Sequence, residues 1–231
     1  MSNKKDKNLF LTEAEKIIKS ISKNISIGQK PKVAHIAYEL YVYFLIIETL
    51  TYLPSCKIQF MNLKQGSFRP RYAPGKPNTA KYSYVKYEYK GELYEIQLDT
   101  LHKGISGVCH EMDVSIKNAN SKFINAAFEC KYTMSVMRFS YTREFIGMLT
   151  DFHETQTSKK YYPPEYRIDF IVSSALMPMT HTVHSNSQKF LKSKKRRYNP
   201  KKLSCANFQN ALVPNNKEVK HFQKKFLDLI Y

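Results

Sequence analysis

Apolar positions along the chain fall into segments of two different periods. Residues 33–53, VAHIAYELYVYFLIIETLTYL, are apolar on almost every side and are interrupted only by His35, Glu39 and Glu48. Such a run reads as a helix sunk in a core, opened at Pro31 and stopped by Pro54. Its length approaches that of a membrane span, but a carboxylate at bilayer depth costs several kcal/mol. A core helix is therefore expected, and no membrane association. Upstream, Thr12 and Glu15 form a capping box that predicts a short helix over 12–22, after a frayed polar start at 1–8.

Beyond Pro54 the period shortens. Residues 57–63 (KIQFMNL) read as a strand, and 65–80, with three prolines and two glycines, as an exposed loop. Residues 82–98 give two β-rich runs around Lys90-Gly91-Glu92, a hairpin signal. Gly104, Ser106 and Gly107 mark a loop, and HEMDVSI (110–116) and FINAAFECKYT (123–133) follow as strands. Phe145, Met148, Leu149 and Phe152 repeat at helical spacing within 142–156. A buried strand is expected at 167–176 and a polar helix over 182–195. The order is that of an α/β fold, a central mixed β-sheet flanked by helices. It divides into an N-terminal helical extension (1–30), a core (31–195) and a basic C-terminal segment packed on that core (196–231).

Composition narrows the class. The 231 residues hold 37 Lys+Arg against 19 Asp+Glu, a formal charge of +18, and 42% of them are hydrophobic. That apolar content excludes a disordered chain. Cys56, Cys109, Cys130 and Cys205 show no CxxC pairing, which argues against a zinc ribbon or disulfide scaffold and suits a reducing cytoplasm. The N-terminus has no apolar signal region.

The charge points to a polyanion. No acidic residue occurs from Phe170 to Lys217, where Lys194, Lys195, Arg196 and Arg197 crowd together. A second basic region holds Arg69, Arg71, Lys76 and Lys81 among Phe68, Tyr72, Tyr82 and Tyr84. Cations neutralise phosphates and aromatic rings stack on bases. A solvated face of a lysine-rich protein is the plainer reading of either patch.

The sharpest chemical signal is Asp113 with Glu129-Cys130-Lys131. Strand alternation puts Glu129 and Lys131 on one face, with Cys130 turned into the core, and likewise pairs Glu111 with Asp113. Carboxylate oxygens are the ligands Mg²⁺ prefers. Glu-x-Lys by itself says little, since it recurs at Glu88/Lys90 and Glu218/Lys220. At 129 it ends the apolar run FINAAF, where a charge is expensive unless used. The competing reading is an ion-pair cluster in a non-catalytic, basic nucleic-acid-binding protein.

Asp113, followed sixteen residues on by Glu129-Cys130-Lys131, resembles the PD-(D/E)XK nuclease superfamily, with its restriction-endonuclease-like fold. The wider GISGVCHEMDVSI…AAFECKYT…TREFIG is similar to bacterial restriction or defence nucleases. Met112 stands where the motif has proline. The resemblance implies Mg²⁺-dependent hydrolysis of DNA phosphodiester bonds, with Mn²⁺ as substitute, in restriction or anti-phage defence. It implies Asp113, Glu129 and the Cys130 backbone carbonyl as metal ligands, and Lys131 near the attacking water. Glu39, on the first core helix, and Glu111 are further metal candidates, and Arg143 is a candidate phosphate contact. Double-stranded DNA is the expected partner, with a homodimer if both strands are cut. An RNA or repair nuclease on the same fold is the alternative. His110 reads as structural, and His181 and His184 lack further ligands for a zinc site.

Overall fold

The computed structural model describes residues 2–77, 79–104, 106–121, 124–132, 139–157, 168–173, 203–207, 209–210, 213–214 and 216–230. The long apolar run forms helix α2 (Ala34–Thr51), with thirteen of its eighteen residues buried, so it is core on nearly all sides. Glu39 and Glu48 are only half-buried, and His35 and Thr51 are exposed. Among the described residues no helix is long and apolar enough to cross a membrane.

The first helix, α1 (Ser2–Ile21), begins ten residues before the expected position. The polar start is helical, not frayed. Phe10, Leu11, Ala14, Ile17 and Ile18 bury one stripe of α1 in the same core as α2, and the buried Asp6 extends that contact one turn further. Packing thus sustains a turn that local polarity alone would not.

The strands are β1 (Ser26–Ile27), β2 (Lys57–Met61), β3 (Ser67–Phe68), β4 (Tyr84–Tyr89), β5 (Glu92–Lys103), β6 (Cys109–Asn118), β7 (Ile124–Lys131), β8 (Ile168–Ser173), β9 (Leu203–Asn207), β10 (Gln209–Asn210) and β11 (Val213–Pro214). A seven-stranded sheet runs β2-β4-β5-β6-β7-β8-β9. Its first five strands are antiparallel, and β7, β8 and β9 are parallel. Strands β1 and β3 form a separate parallel pair, and β10 and β11 an antiparallel one. The predicted hairpin turns through Lys90 and Gly91, both at positive φ (51° and 77°). This is the arrangement of a two-residue turn that matches strand twist.

One face of the sheet packs on α1, α2 and the C-terminal helix α4 (Asn216–Ile230). Phe222 and Phe226 of α4 stack 5.9 Å apart, and Phe226 lies 5.4 Å from Phe128 of β7. On the other face, α3 (Phe139–Thr157) buries Phe145, Ile146, Leu149 and Phe152 against Met112, Ile124 and Ala127. The protein is therefore α/β, with helices on both faces of a mixed sheet. The helix expected over 182–195 lies outside the described residues.

Candidate metal centre

The centre is built where β5 and β6 break regular alternation together. Their register pairs Leu98 with Val114 and Thr100 with Met112, while Asp99 and Asp113 between them leave the ladder. Asp99 has φ 48°, a left-handed conformation that a short polar side chain tolerates better than most. The faces exchange at this point. Val114 belongs to the core under α2, whereas Met112, two residues away, belongs to the cluster under α3. Regular alternation would put both on one face.

Carboxylates collect in this crease. Oxygens of Asp99, Glu111 and Asp113 all lie within 4.8 Å of one another. Oxygens sharing one Mg²⁺ at about 2.1 Å stand at most about 4.2 Å apart, so the three fit a hard divalent cation after a small contraction. Asp99 is 4% exposed, Asp113 half-buried and Glu111 open to solvent. The β6–β7 register begins at Val114–Phe128. Beside it, Asp113 Oδ2 accepts the Cys130 backbone N–H at 2.6 Å, which binds the first carboxylate to the strand that carries Glu129 and Lys131.

Strand β7 contributes as alternation requires. Cys130 is buried in the core under α2, while Glu129 and Lys131 point together and form an ion pair. The Lys131 ammonium also lies 5.3 Å from the Tyr141 ring centroid of α3, a cation–π distance. From α2, Glu39 brings a fifth carboxyl into the field of Asp113, Asp99 and Glu111.

The electrostatics follow from crowding. Burial, and then the charges of Asp113, Asp99 and Glu111, push the Glu39 carboxyl up to about 9, against a smaller pull from Lys131. Burial and Glu111 push Asp99 up to about 7, opposed by Arg71. Asp113 is driven well above the carboxylate range by burial and by Glu129, with Lys131 and the Cys130 N–H opposing. Glu111 moves the same way through burial and Glu129. Burial disfavours the Lys131 ammonium, but Glu129 and Asp113 outweigh it and hold the amine above its usual range. Five carboxyls facing one ammonium resist full ionisation, and a divalent cation relieves that.

The structure brings together Asp113, Glu129, Cys130, Lys131, Glu111 and Glu39. Asp99 joins them without having been expected, because the predicted strand stops at Leu98. The available signal was an aspartate inside a β-rich run that continues to Lys103.

The basic positions separate. Arg71, 6% exposed, donates to the Lys76 carbonyl (2.7 Å) and Thr79 Oγ1 (3.0 Å) and lies 4.5 Å from the Tyr82 ring centroid. Arg69 donates to the carbonyls of Asn62 and Ala80. Both guanidiniums organise their own loop, and Lys76 and Lys81 are exposed on it. Arg143 is exposed on α3. Lys194, Lys195, Arg196 and Arg197, like His181 and His184, lie outside the described residues. His110 has a structural partner, Asp151 Oδ2, at 2.8 Å.

Compared with known proteins, the chain matches no protein-family model and no curated protein.

Proposed function

We propose that the protein is a Mg²⁺-dependent endonuclease that hydrolyses DNA phosphodiester bonds, of the restriction or anti-phage defence type and with a restriction-endonuclease-like core. The observation carrying this reading is the convergence of Asp99, Glu111 and Asp113 beside a Glu129–Lys131 pair, in a chain of charge +18. A basic nucleic-acid binder has no use for carboxylates facing a phosphate, because they repel it.

Asp113 and Glu129, with the Cys130 carbonyl, would hold the cation, and Asp99, Glu111 and Glu39 extend the same acidic field. A divalent cation held by these residues would lower the pKa of a nearby water and offset charge building on the scissile phosphate. Lys131, kept protonated by Glu129, can donate to the attacking water or a phosphate oxygen. Lys76, Lys81 and Arg143, together with the 194–197 basic run, supply backbone contacts that position the duplex. Cutting both strands calls for two copies of the chain.

The test is incubation with supercoiled plasmid and phage DNA in Mg²⁺ or EDTA, beside Asp113→Ala and Lys131→Ala variants. Mg²⁺-dependent nicking that both variants lose, while still shifting DNA on a gel, supports the reading. A wild type that cuts no DNA, with variants binding equally, overturns it.

A further inference from the structure

Strand β7 ends at Lys131, and the next residue ties that end to a distant part of the chain. The Tyr132 hydroxyl donates to Asp6 Oδ2 at 2.5 Å across 126 positions of sequence. That distance lies at the short limit expected for a hydroxyl on a carboxylate. Asp6 is 2% exposed, and a carboxylate so placed needs a donor. The Tyr132 ring is held as well as its hydroxyl. It meets Phe10 of α1 edge-on at 5.8 Å and lies 6.2 Å from Tyr38, which directly precedes Glu39 on α2. One knot therefore joins α1, the helix that carries Glu39 and the strand end that carries Glu129 and Lys131.

From this we infer that Asp6 is a positioning residue of the metal centre, and that α1 is a working part of the site. The Asp6–Tyr132 bond fixes the end of β7, and so fixes Glu129 and Lys131 against Asp113 and Glu39. The Tyr132 hydroxyl is engaged by Asp6, so its influence passes through the backbone of Lys131 and through the ring beside Tyr38. Removing groups that orient metal ligands commonly weakens metal affinity or rate about 10- to 100-fold. The inference rests on the proposed cation site, and its Mn²⁺-affinity readout needs no DNA.

The experiment measures Mn²⁺ affinity by calorimetry, DNA cleavage by single turnover and folding by Tm in the full chain. The variants are Asp6→Ala, Tyr132→Phe, their double and Asp6→Asn. Expected for both single variants is an Mn²⁺ affinity or cleavage rate lower by about 10-fold or more, with DNA affinity unchanged. The double variant should match either single one, because both remove one bond. Asp6→Asn, which keeps an acceptor oxygen, should recover most of the loss. Variants that lose Tm while keeping wild-type Mn²⁺ affinity and rate would overturn the inference and leave the bond purely structural. Wild type that binds Mn²⁺ but cuts no DNA would sink the nuclease reading alone, and the Mn²⁺ affinities would still judge the tether. Wild type that binds no Mn²⁺ overturns both.

Discussion

Asp99 and Asp113 leave the β5–β6 ladder at the same step, and their carboxylates come within 4.8 Å of each other. Ladder irregularities that re-aim side chains concentrate near functional sites. Here the re-aiming gathers like charges, which work against folding until something neutralises them. A cation bound in the crease, as proposed, would therefore stabilise the fold.

That coupling has a sign. Glu39 titrates near 9 and Asp99 near 7 in the folded chain, against about 4 for both when unfolded. Between about pH 4 and 9 the native state thus holds more protons than the unfolded state, so stability falls as pH rises across that window. Without divalent cations, Tm should decline from pH 5 to pH 9. Added Mg²⁺ should raise Tm most at the alkaline end, as scanning calorimetry would record. A Tm that rises with pH in EDTA would contradict the crowding.

Asp113→Asn should separate stability from function. The amide oxygen can still accept the Cys130 N–H, and at a pH high enough to ionise Asp113 the substitution removes the charge that repels Glu129 and Asp99. Tm in EDTA at that alkaline pH should rise, by roughly 2–4 °C for each kcal/mol relieved. The further rise that Mg²⁺ gives wild type should disappear. Thermal melts with and without Mg²⁺ check both halves.

The loop of residues 69–83 predicts a division of labour among its cations. Arg71→Ala strands the Lys76 carbonyl and Thr79 hydroxyl and should cost about 1–3 kcal/mol of stability. Gly75→Ala should disturb the same packing, since a Cβ there would sit 2.0 Å from Arg71 Nη1. Lys76→Ala and Lys81→Ala should leave Tm nearly unchanged and weaken DNA binding. Each should lower the salt slope of that binding by about 0.9 for every phosphate it no longer neutralises. Gel shifts across a salt series, read beside melts, test the division.

Phe226 closes the core from the C-terminal side, stacked on Phe222 and against Phe128. Phe226→Ala should cost about 3–5 kcal/mol, measured by denaturant unfolding. A loss below about 1 kcal/mol would mean that α4 is not part of the cooperative core.

Much of the scaffold was legible in the sequence because strong periodicity wrote it. The long apolar run gave α2, the Lys90-Gly91 turn gave the β4–β5 hairpin, and the spacing of Phe145, Leu149 and Phe152 gave α3. The partnership of Asp113 with Glu129 and Lys131 was legible because charge inside apolar strands demands a reason. Asp99 was not, since a left-handed residue in mid-strand leaves no periodic trace and depends on Asp113 opposite it. The early start of α1 was hidden for a related reason. Asp6 looks like a solvated acid among lysines until Tyr132, distant in sequence, is placed beside it. Nor did Arg71 announce that it would face inward, because a basic loop reads as exposed until its carbonyls are seen to need a donor.

Anomalous diffraction from a crystal of the protein soaked in Mn²⁺ would locate the cation. A Mn²⁺ peak is expected in the crease, bonded to Asp113 and at least one other carboxylate among Asp99, Glu111 and Glu129, and absent from Asp113→Asn crystals. A soaked crystal with no peak there, or with one that persists in Asp113→Asn, would contradict the proposed site.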